Sequence, residues 1–115
     1  MDVTIVGPGR AGGALGLAAS AAGHRVIAVV GRNLGSAEPH AAMLDAQPFG
    51  IDAIFPTADL MLIATRDDLI NPVAASIAER IPAAAGSGAV HLSGLVPRNA
   101  LAPLAEAGYE TGVFH

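Results

Sequence analysis

The sequence predicts an α/β fold: a doubly wound, mostly parallel sheet with helices on both faces. Three observations carry that expectation. Short apolar runs rich in Val, Ile and Leu alternate along the chain with Ala-rich stretches of helical period, the pattern of strands joined by crossover helices. The first run leads straight into glycines, "VTIVGPGRAGG" at 3–13, so the chain must turn sharply from strand into helix. Hydrophobic residues make up 52% of the 115 residues and charged residues only 14%, which suits one buried core within a single domain spanning 1–115.

Each element follows from local chemistry. Residues 2–7 read as the first strand and 25–31 as the second. Between them Ala11, Leu15, Ala18, Ala19 and Ala22 recur at three- and four-residue intervals, which predicts a helix over 10–22, stopped by Gly23. Ser36 is expected to cap a second helix over 37–46, with Pro39 in its first turn, where a missing N–H costs nothing. The stretch "QPFGIDAIFPTAD" at 47–59 leaves a short strand and a helical turn both open. A strand follows at 60–65. Asn71 and Pro72 read as N-cap and first residue of a helix whose face is Val73, Ala74, Ile77 and Ile81, ending before Pro82. "PAAAGSGAV" at 82–90 reads as a flexible loop entering a buried strand at 88–92, and a last strand is expected at 110–114.

Composition excludes several classes of function. The net charge is −4, every basic residue is Arg, and no basic stripe follows the chain, so nucleic acid is not an expected partner. Without Cys there is no disulfide and no thiolate nucleophile, and the four His, at 24, 40, 91 and 115, are scattered, so no metal site is expected. No apolar run approaches the roughly 20 residues that span a bilayer, and no charged n-region precedes an apolar core. The chain therefore reads as soluble and cytoplasmic, with no membrane partner.

Gly7, Gly9 and Gly12 spell G-x-G-x-x-G after one expected strand and at the start of an expected helix, inside a strand-helix-strand unit. The first glycine permits the tight turn, the second lets backbone approach a pyrophosphate, and the third lets helix lie close on strand. Unpaired N–H groups and the positive end of the helix dipole favour an anion there, with Pro8, Arg10 and Ala11 in the same turn. Gly16, one turn on, is expected to serve helix-sheet packing.

"VGPGRAGGALGLAASAAGHRVIAVVGRN", "ADLMLIATRDDLI" and "VHLSGLV" together resemble the Rossmann-like domain of the pyrroline-5-carboxylate reductase and 6-phosphogluconate dehydrogenase superfamily, closest to a branch of uncharacterised oxidoreductases. The resemblance covers essentially the whole chain. It implies an NADP-binding domain that, in this branch, continues beyond a His like that in "GVFH" into a helical domain that dimerises and completes the active site. It further implies that residues 1–115 by themselves leave apolar surface bare and form homo-oligomers.

In such sheets ligands lie off the carboxyl ends of the strands, which brings four tips together: Gly7 to Gly12, Gly31 to Asn33, Thr65 to Asp68, and Ser93 to Gly94. At the second tip an NAD site would carry Asp or Glu for the ribose hydroxyls. Here Gly31, Arg32 and Asn33 offer a cation instead, which suits a 2′-phosphate and favours NADP over NAD. At the third tip the resemblance implies backbone contacts from Thr65 and Arg66 to the cofactor's ribose and nicotinamide. Asp67 and Asp68 look like an acid-base pair but are expected to cap a helical turn. Ser93 is a candidate for the nicotinamide or substrate end, and also for a purely structural role. His91 reads as a core histidine on the same strand face as Ser93, and G-x-S-x-G is absent, which disfavours a Ser-His hydrolase. No catalytic residue can be assigned. The expected function is the NADP(H)-binding domain of an oxidoreductase acting on a small imine, oxo or hydroxy substrate, with a non-catalytic nucleotide-binding module as the alternative.

Overall fold

A computed structural model describes all residues except Pro8, Pro97, Phe114 and His115, together with every side chain but those of Arg10 and Arg98. Among these residues six strands, β1 (Asp2–Val6), β2 (Arg25–Gly31), β3 (Gln47–Gly50), β4 (Leu60–Ile63), β5 (Gly88–His91) and β6 (Glu110–Val113), alternate with helices α1 (Arg10–Ala21), α2 (Leu34–Leu44), α3 (Ile70–Arg80) and α4 (Ala102–Glu106). The strands lie in the order β3-β2-β1-β4-β5-β6, and every adjacent pair is parallel. The chain winds outward from β1 to β3, returns to β4 beside β1, and winds outward again, so the order reverses between β1 and β4.

Strand alternation sorts the core into two layers. Val3 and Ile5 of β1 join Val26, Val29 and Leu62 beneath α1 and α2, which contribute Ala37, Ala41 and Leu44. Val6 points the other way, with Val30, Met61 and Ile63, beneath α3 and α4, where Ile70, Ala74, Ile77 and Leu104 are buried. The α1 stripe differs from expectation. Gly12 and Gly16 are buried and Leu15 and Ala19 half-buried, whereas Ala11, Ala18 and Ala22 are exposed. Glycine sets this choice: a Cβ on Gly16 would lie 2.7 Å from Leu44 Cδ1, so Gly16 serves helix-helix rather than helix-sheet packing. Gly23, at φ +90°, ends α1 as expected, with His24 N donating to Ala19 O and Gly23 N to Ser20 O.

The other boundaries move for identifiable reasons. Asn33, not Ser36, is the N-cap of α2: Ser36 N donates to Asn33 Oδ1 at 2.9 Å and Asn33 N to Ser36 Oγ at 3.2 Å, a reciprocal capping box. Pro39 therefore lies inside the helix rather than in its first turn, and α2 ends at Leu44, where Asp45 takes a left-handed conformation at φ 53°. α3 starts at Ile70 after a 3₁₀ turn over Asp67–Leu69, and Asn71 is not its cap. The Asn71 carboxamide instead donates to Ala100 O at 3.0 Å. β4 stops at Ile63, β5 at His91 and β1 at Val6; the end expected for β6 at Phe114 falls outside the described residues.

The open stretch 47–59 is β3 followed by a loop that distant residues fasten down. Arg80, in the last turn of α3, donates to the carbonyls of Ile51 and Ala53 and to Ser76 Oγ at 3.0 Å. Thr57 Oγ1 donates to Pro82 O at 2.8 Å. The loop before β5 is a tied turn rather than a slack one, since Ser87 is buried and bonds Ala84 through both its backbone N–H and its hydroxyl. α4 was not expected at all; Leu101 and Leu104, both 0% exposed, hold it to the core.

Candidate functional site

The reversal of strand order opens a cleft of about 490 Å³ at the carboxyl ends of β1, β2 and β4. Its floor is apolar, built by Val6, Val30 and Ala64. Gly7, Gly9, Gly31, Arg32, Thr65 and Arg66, six of the residues singled out in the sequence, line it together.

The turn at Gly7 and the close packing at Gly12 match the spacing. Gly7 has φ +82°, and a Cβ there would lie 2.7 Å from Thr65 Cγ2, so neither the turn nor the neighbour admits a side chain. A Cβ on Gly12 would come within 2.7 Å of Gly7 O and 3.2 Å of Ile5 Cγ2, which keeps α1 close to β1. A Cβ on Gly9 would meet nothing within 4 Å. Gly9 itself lines the cleft. Gly9 is also the N-cap of α1 and offers no side-chain cap, and no acid stands in the first turn. The leading N–H groups of α1, from Arg10, Ala11 and Gly12, thus lack intrahelical acceptors, while α2 is closed by its own capping box. Pro8 lies outside the described residues, and only the backbone of Arg10 is described.

Arg32 stands apart from the other arginines whose side chains are described, Arg25, Arg66 and Arg80. Arg25 pairs with Asp2 at 3.5 Å, Arg66 with Asp68 at 2.8 Å, and Arg80 binds carbonyls, whereas Arg32 lines the cleft with no hydrogen bond or ion pair to a described residue. Gly31 is required beside it because a Cβ would lie 2.5 Å from Ser36 Oγ and 2.9 Å from Ala37 N. Asn33 has its carboxamide oxygen engaged in the cap.

At the third tip Thr65 Oγ1 is buried without a hydrogen-bond partner among the described residues. A buried hydroxyl left so is costly, and a ligand group in the cleft would relieve it. Asp68 makes no cap hydrogen bond; it takes both Arg66 Nε at 3.2 Å and Nη2 at 2.8 Å. The hydrogen bond from Arg66 holds its carboxyl below the usual carboxylate range, and Asp68 in turn raises the guanidinium. Both side chains are exposed, so the pair orients Arg66 more than it stabilises the fold. At the fourth tip Ser93 Oγ accepts from Leu95 N at 3.1 Å and Val96 N at 3.2 Å, and Ser93 N donates to Nδ1 of fully buried His91. Ser93 does not line this cleft.

Sequence reasoning did not place Ser36, His40, Ile51 or Leu69 at the cleft, and these complete the lining. The i, i+4 spacing of Ser36 and His40, which puts both on one helix face, was the available signal for His40. Ile51 and Leu69 arrive from a loop and a 3₁₀ turn, which no periodicity marks.

Known structures with this architecture are numerous. One assigned as an NADP oxidoreductase, from Bacteroides fragilis, superposes with a TM-score of 0.77 at 22% identity, covering 97% of this chain and 42% of that one. The arogenate dehydrogenase of Synechocystis gives 0.73 at 19%, covering 94% and 38%. The WlbA dehydrogenase of Bordetella pertussis, in complex with NADH and UDP-GlcNAcA, gives 0.73 at 21%, covering 98% and 37%. The chain spans less than half the length of each. No curated protein matches the sequence. The family described as Rossmann-like domain matches residues 1–115 in full, and with the glycine turn, the strand order and the cleft in agreement, the chain belongs to that family.

Proposed function

We propose that the chain is the NADP(H)-binding domain of an oxidoreductase of the pyrroline-5-carboxylate reductase and 6-phosphogluconate dehydrogenase type, acting on a small imine, oxo or hydroxy substrate. The guanidinium of Arg32, without a partner among the described residues and lining the same cleft as Gly9 at the start of α1, carries the reading. Two sites for anions face one cleft, as a dinucleotide bearing a 2′-phosphate requires. In this assignment Gly7, Pro8, Gly9, Arg10, Ala11 and Gly12 surround the pyrophosphate. Gly31, Arg32 and Asn33 meet the phosphorylated ribose, and Thr65 and Arg66, with Ser93 beyond them, border the nicotinamide half. The bound cofactor would supply hydride transfer, and the domain would fix its position and charge environment. The dinucleotides that the similar structures hold or are assigned to support the nicotinamide class.

Titration calorimetry with NADP(H) and NAD(H) on the wild type and on Arg32→Asp tests this. A charge-assisted contact contributes about 1.5–3 kcal/mol, so Arg32→Asp should weaken NADP(H) roughly ten- to a hundredfold and leave NAD(H) nearly unchanged. Equal wild-type affinities, or a loss common to both cofactors, would overturn the preference.

A further inference from the structure

We infer that Arg80, on α3 and outside the cleft, is a positioning residue for the dinucleotide: it holds the turn after β3 so that Ile51 forms an apolar wall for the adenosine half. The inference rests on the dinucleotide reading above and adds to it a residue that acts from a distance.

Strand register places Ile51. Gly31 of β2 pairs with Gly50 of β3, so Arg32 and Ile51 are the next residues of two neighbouring parallel strands, and both line the cleft. The two tips are packed closely, since a Cβ on Gly50 would lie 3.3 Å from Leu34 N and 3.4 Å from Asn33 Cα. Ile51 thus adds apolar surface beside the residues assigned to the phosphorylated ribose. The chain then turns back, with Ala53 N donating to Gly50 O at 3.0 Å. One backbone hydrogen bond is weak support for a binding wall, because ordering each residue of a turn costs more than such a bond returns.

Arg80 supplies the rest of the support. Its guanidinium donates through Nη2 to Ile51 O and through Nη1 to Ala53 O, so the planar fork spans the turn. Nη2 also donates to Ser76 Oγ at 3.0 Å, which ties the fork to the preceding turn of α3. The side chain is half-buried, has no carboxylate partner among the described residues and does not line the cleft. Its hydrogen bonds therefore serve the turn and its own helix, and its effect on a ligand must pass through Ile51.

A double-mutant cycle on affinity tests this, with NADP(H) and NAD(H) titrated into wild type, Arg80→Gln, Arg80→Lys, Ile51→Ala and the double variants. Ile51→Ala should weaken both dinucleotides roughly fivefold, the share that partial burial of one aliphatic side chain contributes. Arg80→Gln should weaken both by a similar factor, unlike Arg32→Asp, because both cofactors carry adenosine. Added to Ile51→Ala, it should change affinity by less than about twofold. Arg80→Lys, a point donor in place of a fork, should lose roughly two- to threefold, and it carries the same cycle if melting curves show that Arg80→Gln does not fold. Adenosine 2′,5′-bisphosphate, the adenosine half alone, should follow the same pattern. A purely structural Arg80 would lower the melting temperature without this coupling to Ile51. Wild-type affinity in a folded Arg80 variant, or losses that multiply in the double variant, overturns the inference and leaves the cofactor reading standing. If the wild type binds neither dinucleotide, both fall together.

Discussion

Gly9 is where a single added side chain separates fold from ligand. Gly9 lines the cleft, and among the described residues beyond its chain neighbours nothing lies within 4 Å of where its Cβ would stand, whereas Gly7 and Gly12 are hemmed in by Thr65 and by the backbone of Gly7 itself. Gly9→Val should therefore fold with a melting temperature close to wild type and lose dinucleotide binding, because the isopropyl group occupies the pyrophosphate's position. Thermal shift with and without NADPH checks both halves, and undiminished stabilisation by NADPH in a folded Gly9→Val protein would make the loop a turn and nothing more. The three glycines were legible because their spacing encodes backbone constraints local to a dozen residues. Arg32 was legible by its distance from the first glycine. The partner of Arg66, the unpartnered state of Thr65 Oγ1 and the presence of His40 were not, since each depends on which side chains meet across the switch in strand order.

At the scale of the element, α2 shows how a site and a helix end share residues. Asn33 holds the start of α2 in place and so fixes the direction in which Arg32 leaves β2. Removing the cap by Asn33→Ala should cost about 1 kcal/mol of stability and lower the melting temperature by a few degrees. The NADP(H) affinity should fall by less than it does in Arg32→Asp. A melting curve and one titration decide it, and an unchanged melting temperature would mean that Ser36 caps the helix unaided. Two good capping residues three positions apart made the sequence ambiguous here, and the choice fell to the reciprocal bonds of the box. α4 was illegible for another reason. Five residues cannot sustain a helix through their own propensity, and "APLAE" is helical only because Leu101 and Leu104 are buried by α3 and the sheet. The loop after β3 likewise owes its path to Arg80, thirty residues away along the chain in round terms.

For the molecule as a whole, binding a dinucleotide and turning over a substrate are separable properties. Off the ends of β4 and β5, Ser93 already accepts two backbone N–H groups, His91 is fully buried, and Asp68 is paired with Arg66. The 115-residue chain should accordingly bind NADPH without oxidising it appreciably on imine, oxo-acid or hydroxy-acid substrates. Absorbance of NADPH followed over such a panel checks this, and robust oxidation by the purified chain would place the missing proton donor within these residues. The α/β class and the doubly wound arrangement were legible throughout, because alternating apolar runs and crossover helices admit few parallel topologies. The central place of β1 has one more consequence, and it concerns time. Among the described strands β1 lies inside the sheet and precedes both of its neighbours along the chain, β2 from residue 25 and β4 only from residue 60. Until Leu60–Ile63 have left the ribosome, Val3–Val6 present a bare apolar edge with every hydrogen-bonding group on that side unanswered. The nascent chain is thus open to misassociation at a strand that is buried once the sheet is complete.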